Sequence, residues 1–471
     1  MNSPLNQSNS VPPHMPSEAG ATAIIGMGKT GQAVARFLLE QGIVCSAFDE
    51  SEKACIDFPM QDNVKFELHT GPFNAELLKQ YSRIIVSPGI NWHHPVLQEL
   101  RRDNIPMYGD LELFSQQYQG DLIAITGTNG KTTTVSLINT MLDVLHGGIE
   151  AGGNIGTPML DLIRDGQPQR VVLELSSFQI ERANPIHPHW AALLNVQPDH
   201  ADMHTDMAAY EAAKVQLFAR QSEGDKAMLP ADSHWNKLAN TLVARGVFVR
   251  RFGIGSSDTL DSGVQLHDDG SWHLFWHHYD ITHEIASDDV PAQGMHQHLN
   301  LAVAAQAAAD HGLTASVIRQ SLTSFRGLPH RLQSLGIVKG REWFNDSKAT
   351  NPDAAKAALA SFHQVVWICG GLRKGLDVMP LQSAVSNHVE HMFIIGTEAK
   401  PFVKLAESSG VSYKFVKTIE QAVKQAAQLQ NGVPVLLSPA AASQDQFKNY
   451  MQRGDAFAAA VQALEMDKHN E

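Results

Sequence analysis

Short apolar runs, each followed by a stretch with helical spacing, set the pattern of most of this chain. Ala23 to Ile25 precedes a helix-like segment over Gln32 to Glu40, a second apolar run spans Ile43 to Phe48, and the alternation continues through "RIIVSPGI" at Arg83 to Ile90. Strands alternating with helices predict a parallel sheet. The pattern restarts after Asp121 with "LIAITGTNGKTTTVSLINTML", followed by "VVLELSSFQI" from Val171 and "AALLNVQPDH" from Ala191, two strands that run into polar loops. A more β-like section from Val247 to about Ile285, with "HDDGS" as its turn, leads to an alanine-rich helix from Asn300.

The pattern breaks at "GLPHRLQ" (Gly327 to Gln333), and a third alternation follows. Its strands are read in "EWFND", "VVWICGG", "HMFIIG" and "PVLLSPA", with helices starting near Pro352, just behind Asn351, and near Thr418. A length of 471 residues fits about three domains. The boundaries read as a tail over 1–20, then 21–110, 111–327 and 328–471, all α/β. Residues 1–20 contain no Lys or Arg and no apolar core, so they read as a disordered extension rather than a secretory signal or presequence.

Composition narrows the class. Hydrophobic residues make up 43% and charged residues 18%, as in an ordinary globular enzyme, and the net charge of -13 argues against general nucleic-acid binding. Cys45, Cys55 and Cys369 are widely spaced and suggest neither a disulfide framework nor a cysteine metal site, which fits a reducing cytoplasm. No apolar run is long enough to span a bilayer.

Gly26, Gly28 and Gly31 form G-x-G-x-x-G between a strand and a helix, and Asp49 ends the next strand. Glycines there let the backbone approach a diphosphate at a helix N-terminus. The same turn serves nicotinamide dinucleotides, other diphosphates or plain packing, and the motif alone leaves the ligand open. "ITGTNGKTTT" is a shortened phosphate loop: Gly127, Gly130, Lys131 and Thr132 are present without the full G-x-x-x-x-G-K-[ST] spacing. Backbone N–H groups can still face phosphate oxygens, Lys131 can reach the terminal phosphates, and Thr132 or Thr133 can bind Mg²⁺.

Glu174, Asn195, Asp199 and His200 fall at or after strand ends, where ligands gather in parallel sheets, although such residues are as often simple surface groups. His200 and His204 have i, i+4 spacing but lack the Glu of a zinc protease motif, so zinc is set aside. His273, His277 and His278 alternate with aromatics and read as a solvated face. Lys214 shares an apolar helix face with Met207, Tyr210, Leu217 and Phe218. It either snorkels to the rim or works near the nucleotide.

Taken together, "GTNGKTT", "GGNIG", "LELSSFQ", "DH" with a later "AAK", "GLPHR", "NDSKATN" and "SPAAASQDQFKNYMQRGDAF" resemble the Mur ligase family. "LSSFQ", "NDSKATN" and "DQFKNY" favour its D-glutamate-adding branch. The resemblance implies an N-terminal Rossmann-like UDP-binding domain, a central P-loop ATPase domain and a C-terminal Rossmann-like amino-acid-binding domain. The implied reaction joins D-glutamate to UDP-N-acetylmuramoyl-L-alanine with ATP as co-substrate, through an acyl phosphate, in a cytoplasmic monomer making peptidoglycan precursor.

The family's roles carry over by position. Gly127, Thr128, Asn129, Gly130, Lys131, Thr132, Thr133, Asn300, Arg331 and Asp346 would contact ATP, and Thr132, Glu174, His200 and a carbamylated Lys214 would serve two Mg²⁺ ions. Gly28, Thr30, Asp49, Ser87, Asn154 and His200 would hold the UDP-sugar, and Lys348, Thr350, Lys374, Ser443 and Tyr450 the D-glutamate and the reacting groups, with Lys131, His200, Lys214 and Lys348 as catalytic residues. The sequence departs from the family at Gln297, where Asn is usual, at Gln333 in "HRLQ", at Ala441 in place of Cys, and at Met203 in place of Arg.

Overall fold

A computed structural model of the chain describes residues 21–58, 66–146, 149–154, 156–198, 204, 206–291, 294–325, 327–430 and 432–466. The tail over 1–20, and with it Asp199, His200 and Met203, lies outside the described residues. The chain divides into two compact units, one comprising residues up to Gln119 together with Pro158–Gln167 and Arg182–Asn184, the other comprising the remainder.

The first unit carries a five-stranded sheet of β1 (Thr22–Ile25), β2 (Cys45–Asp49), β3 (Phe66–Thr70), β4 (Arg83–Val86) and β5 (Met107–Tyr108), in the order β3-β2-β1-β4-β5. Every pairing is parallel. All four residues of β1 are buried, as a central strand covered on both faces requires. The helix after it begins at Lys29, earlier than the pattern suggested, because Gly26 turns the chain at φ +90° and a Cβ on Gly31 would sit 1.9 Å from the Gly26 carbonyl oxygen. Ile25, Phe48, Val86, Leu97 and Leu100 fill the core beneath.

In the second unit a nine-stranded sheet contains β6 (Asp121–Thr126), β7 (Glu150–Gly153), β8 (Arg170–Glu174), β9 (Trp190–Leu193), β10 (Lys226–Pro230), β11 (Phe248–Ile254), β12 (Ser262–Leu266), β13 (Trp272–His278) and β14 (Ile281–Ala286). Their order is β14-β13-β12-β11-β10-β9-β6-β8-β7. Pairing is parallel from β7 to β12 and antiparallel through β13 and β14. Because β8 and β9 lie on opposite sides of β6, the carboxyl end of β6 is a switch point, where open α/β sheets leave a crevice. The alanine-rich helix spans Met295–Asp310, starting before the predicted Asn300, and its Ala302, Ala304, Ala305 and Ala308 let it lie close on the core.

A six-stranded sheet follows, with β15 (Gln333–Val338), β16 (Arg341–Asn345), β17 (Val365–Gly370), β18 (Val389–Ile395), β19 (Ser412–Lys417) and β20 (Val435–Leu437) in the order β15-β16-β20-β17-β18-β19. Among the described strands of this sheet, only the β15–β16 pair is antiparallel. The helix Pro352–Leu359 starts where Asn351 Oδ1 accepts the Ala354 N–H at 2.8 Å. Among the described residues, no helix is long and apolar enough to cross a membrane.

Candidate active site

The phosphate loop leaves β6 at Gly127 (φ +153°) and enters the helix Lys131–His146 through Gly130 (φ +86°). Gly130 admits no side chain: a Cβ would lie 2.3 Å from Asn300 Oδ1. Asn195, at the end of β9, clamps the loop by accepting the Asn129 N–H at 2.8 Å and donating to the Asn129 carbonyl at 3.0 Å. Thr128 Oγ1 accepts the Gln197 N–H at 3.0 Å and meets Tyr210 Oη at 3.2 Å. The Lys131 ammonium folds back onto the carbonyls of Gly127 and Thr128, at 2.7 and 2.8 Å.

Facing the loop, Glu174 is almost wholly buried at the end of β8. Thr132 Oγ1 donates to its Oε2 at 2.6 Å and Asn154 Nδ2 to its Oε1 at 2.9 Å. Burial works to raise the Glu174 pKa, but the Lys131 charge, the Thr132 hydroxyl, Arg331 and Asn154 together hold it below the ordinary glutamate value. An anionic carboxylate beside a threonine hydroxyl is a hard-oxygen pair suited to Mg²⁺.

Lys214 does not snorkel. It is 1% exposed, its ammonium donates to the Gly127 carbonyl at 2.9 Å and sits 4.4 Å from the Tyr210 ring centroid. Of the residues expected on its apolar face, Tyr210, Leu217 and Phe218 are buried, whereas Met207, in the helix's first turn, is 42% exposed. His204 Nε2 lies 2.8 Å from Ser177 Oγ, and its ring is stacked on Phe178.

These groups border a cavity of about 450 Å³ whose other wall comes from beyond the nine-stranded sheet: Asn300, Arg331, Asp346, Lys348 and Thr350 line it with the phosphate loop, Asn154 and Glu174. His296 is on the wall too, and burial, with His298 beside it, pushes its imidazole down to about 4. Arg331 Nη2 is shielded from solvent and has no hydrogen-bond partner among the described residues. Burial lowers the Arg331 pKa against the opposing pull of Glu174, Tyr450 and Asp346. Asp346 is raised to about 7 by burial, although Ser438 Oγ donates to it at 2.8 Å and the Leu332 N–H at 3.1 Å.

Of the remaining expected site residues in this unit, Lys374, Ser443 and Tyr450 do not line the cavity. Lys348 reaches Tyr450 among them, its ammonium 4.3 Å from that ring's centroid. The Lys374 and Ser443 loops are joined by a two-way backbone bridge between Leu372 and Ala442, at 2.8 and 2.9 Å. Ser443 Oγ is buried with no hydrogen-bond partner among the described residues. Sequence reasoning missed Arg453, which is 1% exposed and donates to the Ser347 and Ala441 carbonyls at 2.8 and 3.0 Å and to Ser347 Oγ at 3.0 Å, tying the "NDSKATN" loop to "SPAAAS". Burial brings its pKa down to about 9.

In the first unit, Ser87 Oγ donates to the Gly26 carbonyl at 2.7 Å, and Asp49 accepts the Met27 N–H at 2.7 Å through Oδ2 and the Ser51 N–H at 2.8 Å through Oδ1. Gly28 and Lys29 are exposed at the mouth of this turn, with Thr30 half-buried beside them. Arg182, also absent from the expected set, is buried and donates to the Ser87 and Ile90 carbonyls at 2.6 and 2.7 Å.

Three domain profiles match the chain in order: Mur ligase MurD-like N-terminal domain over residues 20–109, Mur ligase middle domain over 125–308, and Mur ligase glutamate ligase domain over 330–441. A UDP-N-acetylmuramoylalanine--D-glutamate ligase of Hahella chejuensis is 36% identical over 453 residues, covering 94% of this chain and 98% of the relative. One from Methylobacillus flagellatus is 34% identical over 447 residues, covering 94% and 96%. The chain belongs to the Mur ligase family.

Solved Mur ligases share its fold. MurF ligase from Thermotoga maritima in complex with ADP superposes with a TM-score of 0.60 at 16% identity, covering 94% of this chain and 96% of that one. Folylpolyglutamate synthase of Mycobacterium tuberculosis reaches 0.52 at 16% identity, covering 74% and 92%. The expected α/β organisation in three domains built on parallel sheets is thus borne out. One departure from the Mur ligase pattern has a visible role: Gln333 Oε1 accepts the N–H of His330 at 3.0 Å, bracing a residue held at φ +64°. Met203 lies outside the described residues.

Proposed function

We propose that this chain joins D-glutamate to UDP-N-acetylmuramoyl-L-alanine, converting ATP to ADP and phosphate. What supports the reading is a single cavity lined both by the phosphate loop, Gly130 to Thr133, and by Lys348 and Thr350, in a chain whose relatives carry the D-glutamate ligase name over nearly their full length. A carboxylate is a poor electrophile until phosphorylated, so the two halves of the cavity divide the work. Lys131 and the loop N–H groups hold the ATP phosphates while the γ-phosphoryl passes to the L-alanyl carboxylate. Arg331, with its unpartnered Nη2, takes up phosphate charge, and Asn300 and Asp346 complete the nucleotide contacts.

The D-glutamate amine then attacks the acyl carbon, and phosphate leaves from the tetrahedral intermediate. Lys348 neutralises charge at the reacting centre. Thr350, Lys374, Ser443 and Tyr450 hold the two carboxylates of D-glutamate, a task for which cations and hydroxyls are suited. Gly28, Thr30, Asp49 and Ser87 serve the uridine diphosphate, and Asn154 the sugar-peptide end.

Thr132 and Glu174 fit one Mg²⁺ through their hard oxygens, with His200 and a carbamylated Lys214 assigned to a second ion. Bound there, Mg²⁺ would neutralise the phosphate charge. The placement of Lys214 supports the carbamate, since its Nζ is buried and lies against the Gly127 carbonyl of the phosphate loop, where an added carboxylate would face the nucleotide site. The domains are taken as 21–110, 111–327 and 328–471, and the enzyme as a cytoplasmic monomer that binds no nucleic acid or membrane.

The deciding experiment measures phosphate release with UDP-N-acetylmuramoyl-L-alanine and a panel of D-glutamate, L-glutamate, L-alanine and L-lysine. Release that depends on the UDP-sugar and on D-glutamate alone is expected. Release independent of any amino acid would refute the ligase reading.

A further inference from the structure

At the far edge of the nine-stranded sheet, three metal-binding side chains meet on one face. The turn between β12 and β13 is closed by the His267 N–H on the Ser271 carbonyl and the Gly270 N–H on the His267 carbonyl, both at 2.9 Å. Gln265 pairs with His273 in that hairpin, so His267 stands two residues beyond a direct partner of His273. Residues two apart along a strand share a face, and diagonal neighbours on that face come within side-chain reach. The two imidazole centroids are 4.1 Å apart. β14 contributes Glu284, which pairs with Phe275 and is therefore the diagonal neighbour of His273.

Glu284 Oε2 lies 3.4 Å from His267 Nε2 and 3.5 Å from His273 Nδ1, and the three ligand atoms all fall within 4.8 Å of one another. Tetrahedral Zn²⁺, with bonds of about 2.0–2.2 Å, sets its ligand atoms roughly 3.3–3.5 Å apart. The carboxylate therefore already stands at zinc-edge distance from both rings. His267 Nε2 is shielded from solvent and takes no hydrogen bond among the described residues, despite the nearby oxygen. A nitrogen so placed is satisfied by a shared ion.

We propose that His267, His273 and Glu284 bind Zn²⁺, with a fourth position open to water. Two imidazoles and one carboxylate suit a borderline transition ion, whereas Mg²⁺ and Ca²⁺ take oxygen sets. The neighbouring His277 on β13 is separately engaged with Thr282, its Nε2 3.2 Å from Oγ1. Along the strand order, five steps separate β13 from β6, about 24 Å at roughly 4.8 Å per step. The ion is thus distinct from any that serves the phosphate loop. It clamps the last three strands of the sheet to one another, and its effect falls on stability.

The test uses the untagged, full-length protein freed of metal with a chelator. Zn²⁺ is titrated calorimetrically in millimolar Mg²⁺ into wild type, H273A and E284Q. Wild type is expected to bind one equivalent more than either variant, or to bind it at least about tenfold more tightly, and Co²⁺ in its place should give the strong visible absorption of a four-coordinate ion. All three positions are about 30% exposed, and matching unfolding midpoints of the metal-free proteins would show that the variants fold; H267Q replaces any that does not. Equal Zn²⁺ binding by wild type and variants, a six-coordinate Co²⁺ spectrum, or no binding would overturn the proposal.

Discussion

Thr132 Oγ1 donates to Glu174 Oε2 at 2.6 Å, joining the first turn of the phosphate-loop helix to the end of β8. This contact puts a hydroxyl and an anionic carboxylate side by side before any ligand arrives. E174Q keeps the shape and loses the charge. Turnover is expected to fall at least about 100-fold, a rise of about 2.7 kcal/mol in the barrier, with a higher Mg²⁺ requirement in a titration at saturating ATP. The acid limb should change too. A carboxylate with a depressed folded pKa stabilises the fold above its unfolded value of about 4.3 and loses that contribution as pH falls through the folded value. Wild type should therefore lose thermal stability below about pH 4.3 more steeply than E174Q.

Lys214 supplies a second prediction. K214A is expected to lower turnover by more than about 100-fold, and bicarbonate or a short carboxylate should restore part of it by placing an anion in the vacated space. Unchanged turnover in the variant would refute the carbamate role.

Gly130 sits at φ +86° against Asn300. G130A meets both a disfavoured backbone and a clash, for an expected loss of about 1–3 kcal/mol. Adding N300A should return the part due to the clash and leave the backbone part, which a denaturant series on the three variants would separate.

Asp346 has the opposite sign to Glu174. Its folded pKa, about 7, lies above its unfolded value, so the folded state binds the extra proton and stability falls as pH rises from about 4 towards 7. D346N can still accept from the Leu332 N–H and donate to Ser438. Its melting temperature should accordingly change less across that window than that of wild type.

Arg453 ties two loops that carry proposed D-glutamate contacts. R453M leaves the Ser347 and Ala441 carbonyls without their buried donor, and a loss of about 3–5 kcal/mol is expected. R453K, which reaches fewer partners, should raise the KM for D-glutamate more than that for ATP in steady-state kinetics.

How far the sequence carried this reading depended on whether a residue's role was written in local pattern. Glycine spacing announced both turns because a positive φ or a close approach has few other solutions, and Glu174 was legible as a polar stop to an apolar run. Lys214 was legible as misplaced beside Tyr210 on its own helix, but its hydrogen bond to the Gly127 carbonyl joins residues 87 positions apart and left no local trace. Arg453 gave no signal, since an arginine early in a polar helix turn ordinarily faces water. The Met295 start was hidden because "MHQHLN" is polar, and only the packing of the whole helix buries His298 and Asn300.

Asp49 holds two main-chain N–H groups, one on each carboxylate oxygen, and both belong to its own neighbourhood of loops. The residue that the motif offers as a nucleotide contact is thus also a brace for the glycine turn. The turn is therefore shaped in advance, and the proposed diphosphate would lose little affinity to ordering it. The same carboxylate keeps acceptor capacity beyond these two bonds, so bracing the turn leaves it able to serve the proposed nucleotide contact, and two enzymes can share the glycine spacing and still part company over which nucleotide they accept.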